Sequence, residues 1–192
     1  MRDIDVRRAV KSALIAQHEG DLDTRIVEEM GIWNGSVRID LAVVNGELAG
    51  YELKSARDTL ERLPNQCALY SQVFDRVVLV AADRHLGSAP EKIPEWWGII
   101  RAHGLDDCVE LETLREPAIN PSVDPVQLAR LLWREEVIAF LERENRGRGF
   151  RNATREKLAV HIAETTDIAR LTAYVRRCLK DRPARSGEAV DY

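Results

Sequence analysis

The chain has 192 residues, which is enough to bury a hydrophobic core, and its length predicts one domain of ordinary size with a small appendage. Hydrophobic residues make up 45% of the sequence. No stretch approaches the roughly 18 uninterrupted apolar residues of a membrane span, so we expect a cytoplasmic protein with no membrane partner. The formal net charge of -4 excludes nucleic-acid binding that depends on overall charge alone, so such binding needs local basic patches or bound cations.

Local sequence disfavours three further classes of protein. The first ten residues, MRDIDVRRAV, lack the apolar stretch of a secretory signal. Cys67, Cys108 and Cys178 are odd in number, lie far apart and show no Cys/His spacing typical of metal sites. The sequence therefore predicts neither a disulfide framework nor a zinc site.

Hydrophobic periodicity predicts the elements in chain order. Helical spacing predicts a helix over residues 3–17 and a second, shorter helix over 21–30. Asn45-Gly46 is the strongest hairpin signal and predicts a strand on either side. The next elements expected are a helix on both sides of Pro64 capped by Asp58 or Thr59, a strand at 76–82 buried on both faces, a strand at 95–102 and an edge strand at 108–114.

The character of the chain changes after a proline-rich stretch at residues 115–125, which indicates a linker. Asp124 as cap and Pro125 in the first turn predict the start of a long helix. The helices expected here are 126–144, 154–164 and 166–181. The predicted organisation is a first domain at 1–118, a linker at 119–123, a C-terminal helical module at 124–182 and a disordered tail at 183–192.

The register of the hairpin decides which side chains share a face, because side chains alternate along a strand. A two-residue loop would place Asp40 opposite Tyr51 and mix apolar with charged residues on each face. A three-residue loop with a left-handed Gly46 in a bulge places Asp40 opposite Gly50 and separates the two classes. We expect this second register, which puts Asp40 on the face of Glu52.

Charged side chains then converge on one face of the hairpin. Glu52 and Lys54 are two residues apart in a strand and point the same way as Asp40, beside Gly50, which has no side chain to obstruct a ligand. Clustered carboxylates repel one another unless a cation lies among them, and their oxygens suit Mg2+ or Mn2+. The alternative interpretation is a solvated strand face with a Glu52–Lys54 surface pair.

The helix predicted over 21–30 offers a third acid. Glu29 falls on the apolar face of that helix, whereas Glu28 points roughly the opposite way. A carboxylate that points toward the core needs a positively charged partner, and a bound metal ion would be such a partner. Glu29 is therefore the expected third ligand, although the choice between Glu28 and Glu29 stays open.

These residues carry a resemblance to a known superfamily. Asp40, then a hairpin and Glu52-Leu53-Lys54, with an acid on the preceding helix, resemble the PD-(D/E)XK, or restriction-endonuclease-like, nucleases. Residues 35–80 also resemble an uncharacterised bacterial family within that superfamily. Ile39 departs from the motif, since it stands where the motif has a proline.

The resemblance implies an α/β fold with a mixed central sheet flanked by helices, and Mg2+-dependent hydrolysis of DNA phosphodiester bonds, with Mn2+ as a substitute. Asp40 and Glu52 would bind the metal, together with the Leu53 carbonyl. Glu29 would complete the coordination shell of the metal ion, either directly or through a water molecule.

The resemblance also implies roles for three further side chains. Lys54 would orient or deprotonate the attacking water, or pair with a phosphate oxygen. Gln66 and Tyr70 are four residues apart on the following helix, similar to the Gln-x-x-x-Tyr pair of RecB-like nucleases. They would contact the phosphate or hold Lys54, and a packing role for this Gln and Tyr is the alternative.

Basic side chains are candidates for DNA contacts. Arg57 and Arg62 lie close to the expected site, and Arg146, Arg148 and Arg151 form a cluster in the C-terminal segment. A solvated helix face is the alternative interpretation of that cluster.

The predicted function is a metal-dependent deoxyribonuclease in bacterial or phage DNA repair or processing. Two alternatives belong to other classes. One is a non-catalytic nucleic-acid-binding module that uses the basic C-terminal helices. The other is a regulator that acts mainly through protein partners.

Overall fold

The computed structural model describes residues 2–32, 35, 37–104 and 108–183. Within these residues, six strands form one sheet whose spatial order follows the chain. The strands are β1 (Arg25–Ile32), β2 (Val37–Val44), β3 (Leu48–Lys54), β4 (Arg76–Ala82), β5 (Gly98–His103) and β6 (Glu110–Arg115). The β3–β4 and β4–β5 pairs are parallel and the remaining pairs are antiparallel, so the sheet is mixed.

Helices precede the sheet, connect its parallel strands and follow it. They are α1 (Asp3–Gln17), α2 (Leu63–Tyr70), α3 (Asp83–Leu86), α4 (Pro125–Ala129), α5 (Arg134–Arg143), α6 (Arg155–Thr165) and α7 (Ile168–Asp181). In the described part of the chain, no helix has both the length and the apolar character needed to cross a membrane.

Buried clusters lie on both faces of the sheet. Alternate residues of β4 belong to different clusters, with Val78 and Val80 on the α1 side and Val77 and Leu79 on the side of α2. Because successive strand residues point to opposite faces, helices cover both faces of β4. The predicted α/β class with a mixed sheet flanked by helices is confirmed.

The C-terminal helices pack against the same side of the sheet as α2. Leu141 of α5 and Val175 of α7 share one buried cluster with Leu79 of β4. The boundaries predicted at 118 and 124 stay predictions. Residues 184–192 of the predicted tail lie outside the described residues.

The helix predicted over 21–30 is wrong. Most of this segment belongs to β1, which pairs with β2 from Arg25 opposite Val44 to Ile32 opposite Val37. Leu22, which the helical pattern places on the apolar face of the predicted helix, is 90% exposed. A neighbouring strand that satisfies the backbone hydrogen bonds outweighs a short helical pattern.

The predicted hairpin register is also wrong, by two residues. Val44 faces Leu48, so the loop consists of residues 45–47, and continuing this register places Asp40 opposite Glu52. The side chain of Asn45 accepts from the N–H of Glu47 at 2.9 Å and closes the turn, and Gly46 does not adopt a positive φ. A shift of two residues by itself preserves the faces, because the side-chain period is two. The Asp40 carboxylate nevertheless contacts Arg7 of α1, whereas the Glu52 carboxylate contacts Gln66 and Tyr70 of α2, so the two acids are held from opposite faces of the sheet.

One irregularity interrupts the alternation in β1 and β2. Glu29 adopts a φ of 50°, in the left-handed region, at the position that faces Asp40. Beyond this point Ile39 packs in the α2-side cluster, although Leu41 of the same strand packs on the α1 side. The expected separation of apolar and charged residues onto two faces of the hairpin therefore fails, because Ile39 and Leu41 lie on opposite faces.

Two predicted helices are shorter than expected. α2 begins at Leu63, one residue before Pro64, and the helix predicted over the residues before Leu63 is wrong. Asp58 instead accepts hydrogen bonds from Ser55 in the preceding turn. The helix predicted at 126–144 divides into α4 and α5. Its predicted start is confirmed, because the Asp124 side chain accepts from two backbone N–H groups of α4.

Candidate functional site

The candidate site lies where β2 and β3 separate. Their paired register runs from Val44 opposite Leu48 to Leu41 opposite Tyr51. At the next position the Asp40 carboxylate accepts a 2.8 Å hydrogen bond from the N–H of Leu53. The N–H and C=O of one strand residue point to the same neighbouring strand, so the Leu53 carbonyl also faces the Asp40 side.

The Glu52 side chain on β3 is buried, and its carboxylate accepts several hydrogen bonds. Glu52 is 2% exposed, and its Oε1 accepts from Lys54 Nζ at 2.5 Å and from Gln66 Nε2 at 2.6 Å. Its Oε2 is 2.8 Å from the hydroxyl of Tyr70. The structure thus brings three predicted site residues, Lys54, Gln66 and Tyr70, around the carboxylate of a fourth, Glu52.

The position of α2 sets two of these contacts. Gln66 and Tyr70 lie four residues apart, which places them on one face of the helix. The Tyr70 ring is fully buried between Phe74, in an edge-on contact at 5.9 Å between ring centroids, and Trp97, stacked at 6.2 Å. This packing fixes the hydroxyl of Tyr70, which also lies 2.8 Å from the Arg38 carbonyl.

Arg7 of α1 is a site residue that the sequence analysis did not identify. Its Nη2 is 2.6 Å from Asp40 Oδ1, and its Nη1 is 3.1 Å from the Asp40 carbonyl oxygen. Its Nη1 is also 2.9 Å from Glu29 Oε1, so the guanidinium bridges the two acids. No local pattern marks Arg7, because its partners lie on strands far along the chain.

Glu29 and Glu28 both turn toward α1 rather than toward the α2 side. Glu29 lies on β1, not on a helix, and its side chain is 46% exposed. Glu28 pairs with Lys11 at 2.9 Å. The metal-binding role of Glu29 stays a prediction.

Burial raises the pKa of both candidate metal-binding carboxyl groups. For Asp40, burial outweighs the hydrogen bond from Leu53 and the charge of Arg7, which favour the ionised form. For Glu52, burial and the nearby Asp40 charge outweigh the attraction of Lys54. Because the charge of Asp40 raises the pKa of Glu52, a cation bound between the two carboxylates would favour both ionised forms.

Tyr70 acts as a hydrogen-bond donor over the whole working pH range. Burial, followed by the charge of Glu52, raises the pKa of the Tyr70 phenol. The phenol therefore keeps its proton and stabilises the ionised form of the carboxylate that it contacts.

The donor set fits a metal ion that takes oxygen ligands. Asp40, Glu52 and the Leu53 carbonyl provide hard oxygens, and Mg2+ is commonly held by one or two carboxylates together with substrate phosphates. Within the ranges that the structure describes, no three His, Cys, Asp or Glu side chains are grouped as ligands of one metal ion. A set of two carboxylates and a carbonyl is what these residues offer.

The interpretation of Gly50 as an opening for a ligand is wrong. A Cβ built on Gly50 would meet the side-chain end of Ile39 and lie 3.1 Å from Phe74 Cδ1. The glycine therefore allows β3 to approach these two side chains. Its role is in packing the α2-side core.

The predicted DNA-contacting arginines are exposed but lie in two separate segments. Arg57 and Arg62 precede α2 and lie in the connection that follows Lys54. The other group surrounds the loop after α5, where the guanidinium of Arg151 is 2.9 Å from Glu142 and Arg146 donates to the Thr165 carbonyl. Arg148 is exposed in the same loop. Their DNA contacts stay predictions.

Comparison with known proteins identifies the family. The profile of the bacteriophage P4 protein cII family matches residues 3–189. The chain belongs to this family. It is 23% identical over 160 residues to Protein cII of Enterobacteria phage P4, a match that covers 83% of this chain and 60% of that relative. The chain thus spans about 60% of the length of this curated family relative.

A comparison of folds gives a distant match. The structure of Pyrococcus furiosus SfsA in complex with Ca2+ matches with a TM-score of 0.32 and 13% sequence identity. The match covers 58% of this chain and 61% of the other. The family that the comparison shows is the phage P4 cII family, and the resemblance to a nuclease family and nuclease activity stay predictions.

Proposed function

We propose that this protein is a metal-dependent nuclease that hydrolyses DNA phosphodiester bonds in bacterial or phage DNA repair or processing. One observation carries the proposal: the 2.8 Å hydrogen bond from the Leu53 N–H to the Asp40 carboxylate. It joins Asp40 to the Glu52-Leu53-Lys54 segment at the point where β2 leaves β3. This hydrogen bond brings the Asp40 carboxylate beside the backbone of Leu53, between Glu52 and Lys54 in the chain.

Asp40, Glu52 and the Leu53 carbonyl would hold Mg2+ or Mn2+. When bound, such an ion lowers the pKa of a coordinated water and neutralises charge that develops on the phosphate. Tyr70 and Gln66 donate to Glu52 and keep its carboxylate oriented. Their contribution is positional, because both contact the acid directly.

Lys54 supplies the general acid-base or phosphate-binding group. Its ammonium lies 2.5 Å from Glu52 Oε1, and the side chain is 10% exposed. A lysine held in a partly desolvated position pairs strongly with an anion that enters the site. It thus orients the attacking water or contacts a phosphate oxygen.

The exposed arginines of two segments would attract the DNA backbone. Arg57 and Arg62 lie in the segment between Lys54 and α2 and would contact DNA phosphates near the site. Arg146, Arg148 and Arg151 would provide further phosphate contacts. Binding through phosphates weakens as salt concentration rises, because bound counterions are released. This local attraction acts despite the net charge of -4.

The test is a cleavage assay on labelled single-stranded, duplex and branched DNA with Mg2+, Mn2+ or chelator. We expect cation-dependent cleavage by the wild-type protein and a loss of about 10²–10⁴-fold in Lys54→Ala, the usual range for a general acid-base group. Lys92→Ala, which alters an exposed lysine, is the matched control and should retain wild-type activity. Full cation-dependent activity in Lys54→Ala would refute the proposal.

A second candidate function is a nucleic-acid-binding module without catalysis. It is favoured by the observation that Arg7 and Lys54 already neutralise Asp40 and Glu52 with charges of the chain itself. Such a core needs no metal ion to avoid repulsion between its carboxylates. Fluorescence anisotropy that detects DNA binding in chelator, together with no cleavage of any substrate in Mg2+ or Mn2+, would select this candidate.

A further inference from the structure

Arg7 places a permanent positive charge against the candidate metal site. Its guanidinium contacts the Asp40 carboxylate at 2.6 Å and the Glu29 carboxylate at 2.9 Å. A further contact of 3.5 Å to Asp3, on the preceding turn of α1, helps to fix the side chain, which is 15% exposed. Three acids from α1, β1 and β2 therefore hold one arginine.

The contact uses the same carboxylate that would bind a divalent cation. A guanidinium does not deprotonate in proteins, so Arg7 keeps its positive charge beside Asp40 at every working pH. Two cations on one carboxylate repel each other, and the repulsion is large where water is partly excluded. The metal ion and the Arg7 guanidinium are thus alternatives for the Asp40 oxygens.

We propose that Arg7 is a positioning residue that holds the Asp40 carboxylate before a divalent cation binds and competes with that cation for it. This inference rests on the proposed function, since it concerns the same metal site. The contact offsets the repulsion between Asp40 and Glu52 in the cation-free protein. Its consequence is a lower apparent affinity for the metal ion.

The test measures Mn2+ binding by electron paramagnetic resonance on the full chain without substrate. We expect Arg7→Gln to bind Mn2+ about tenfold more tightly, because removal of a charge within a few ångströms lowers the repulsion by at least that factor. Arg8→Gln is the matched control, since Arg8 is the exposed neighbour on the same helix and its loss changes the net charge equally. It should bind Mn2+ as the wild type does.

A second readout follows Arg7 itself. In chelator, Arg7→Gln should unfold at lower urea concentration than Arg8→Gln, and saturating Mn2+ should remove most of that difference. In the wild type, the side-chain Nε–H nuclear magnetic resonance signal of Arg7 should shift when Mg2+ is added and return when the ion is chelated. Arg7→Lys, which retains the charge without the forked contact, should show a smaller gain in Mn2+ affinity.

The outcomes separate this inference from the function on which it rests. Failure of the wild-type protein to bind Mn2+ would overturn both the metal site and the role of Arg7. Wild-type binding with equal or weaker Mn2+ affinity in Arg7→Gln would overturn the role of Arg7 alone. If Arg7→Gln does not fold, a wild-type affinity in Arg7→Lys together with an unchanged Arg7 signal in Mg2+ would overturn it.

Discussion

The backbone N–H of Leu53 donates to the side chain of Asp40 at 2.8 Å, although the two residues belong to neighbouring strands. Between regular strands this N–H would bond to a backbone carbonyl. Here the ladder between β2 and β3 has ended, and a carboxylate takes the place of that acceptor. Asp40 therefore has a structural role in addition to the proposed metal-binding role.

This double role predicts different effects for two substitutions at Asp40. Asp40→Asn keeps an oxygen that accepts from Leu53, whereas Asp40→Ala leaves a buried N–H unpaired. We expect Asp40→Ala to be less stable than Asp40→Asn by about 1–3 kcal/mol, the cost of an unsatisfied buried group. Urea unfolding in chelator measures the difference, and the loss of the ion pair between Arg7 and the Asp40 carboxylate is common to both variants. Equal stabilities would contradict the structural role.

The buried pair of Lys54 and Glu52 predicts an asymmetric mutant cycle. Glu52→Gln leaves the buried Lys54 ammonium without its carboxylate partner and should cost about 3–5 kcal/mol in the free energy of unfolding. Lys54→Met should cost less, because Gln66 and Tyr70 still donate to Glu52. The double variant should lose less than the sum of the two single variants, with a coupling of about 0.5–3 kcal/mol.

Urea unfolding of the four proteins of this cycle gives the coupling energy. Chelator must be present, so that the measurement reports the pair and not a bound cation. Additive losses would show that the two charges do not stabilise each other in the folded chain.

Gly50 predicts a packing defect rather than a binding defect. In Gly50→Ala the new methyl group meets the side chains of Ile39 and Phe74, and overpacking of this kind costs about 1–3 kcal/mol. Gly46→Ala is the control, because a Cβ there has no neighbour within 4 Å and Gly46 does not adopt a positive φ. Thermal unfolding compares the two variants. A Gly50→Ala protein as stable as Gly46→Ala would contradict the observed contact.

The different burial of Cys67 and Cys108 predicts different thiol reactivities for these two cysteines. Burial raises the pKa of the Cys67 thiol to about 12, whereas Cys108 is exposed. Because the thiolate is the reactive form, Cys67 should react with a maleimide at neutral pH at least about 10³-fold more slowly than Cys108. Mass spectrometry of peptides measures both rates, and similar rates in denaturant are the control. Equal rates in the native protein would show that Cys67 is not buried.

The fold was predictable where the information is local. The helix at 3–17 matches α1, and the apolar run at 76–82 matches β4, because each pattern repeats with the period of its own element. Asp124 and Pro125 predicted the start of α4, since a cap acts on backbone groups two or three residues away. The helix at 21–30 failed because the partner of that segment is a strand that comes later in the chain.

Only part of the arrangement of the candidate site could be predicted from the sequence. Glu52, Lys54, Gln66 and Tyr70 come together, as the resemblance to the nucleases implied, and their catalytic roles stay predictions. The pairing of Asp40 with Arg7 was not predictable, because it depends on how α1 packs across β1 and β2.

By itself, the sequence determined the types of most elements other than β1 and much of their extent, and it marked the residues of the Glu52-Leu53-Lys54 segment. These depend on periodicity and on contacts within a few residues, which a linear pattern contains. Only the tertiary structure decided the hairpin register, the strand position of Glu29 and the guanidinium that lies between Glu29 and Asp40. Each of these depends on burial and charge pairing between segments far apart in the chain, and those energies exist only when the segments pack together.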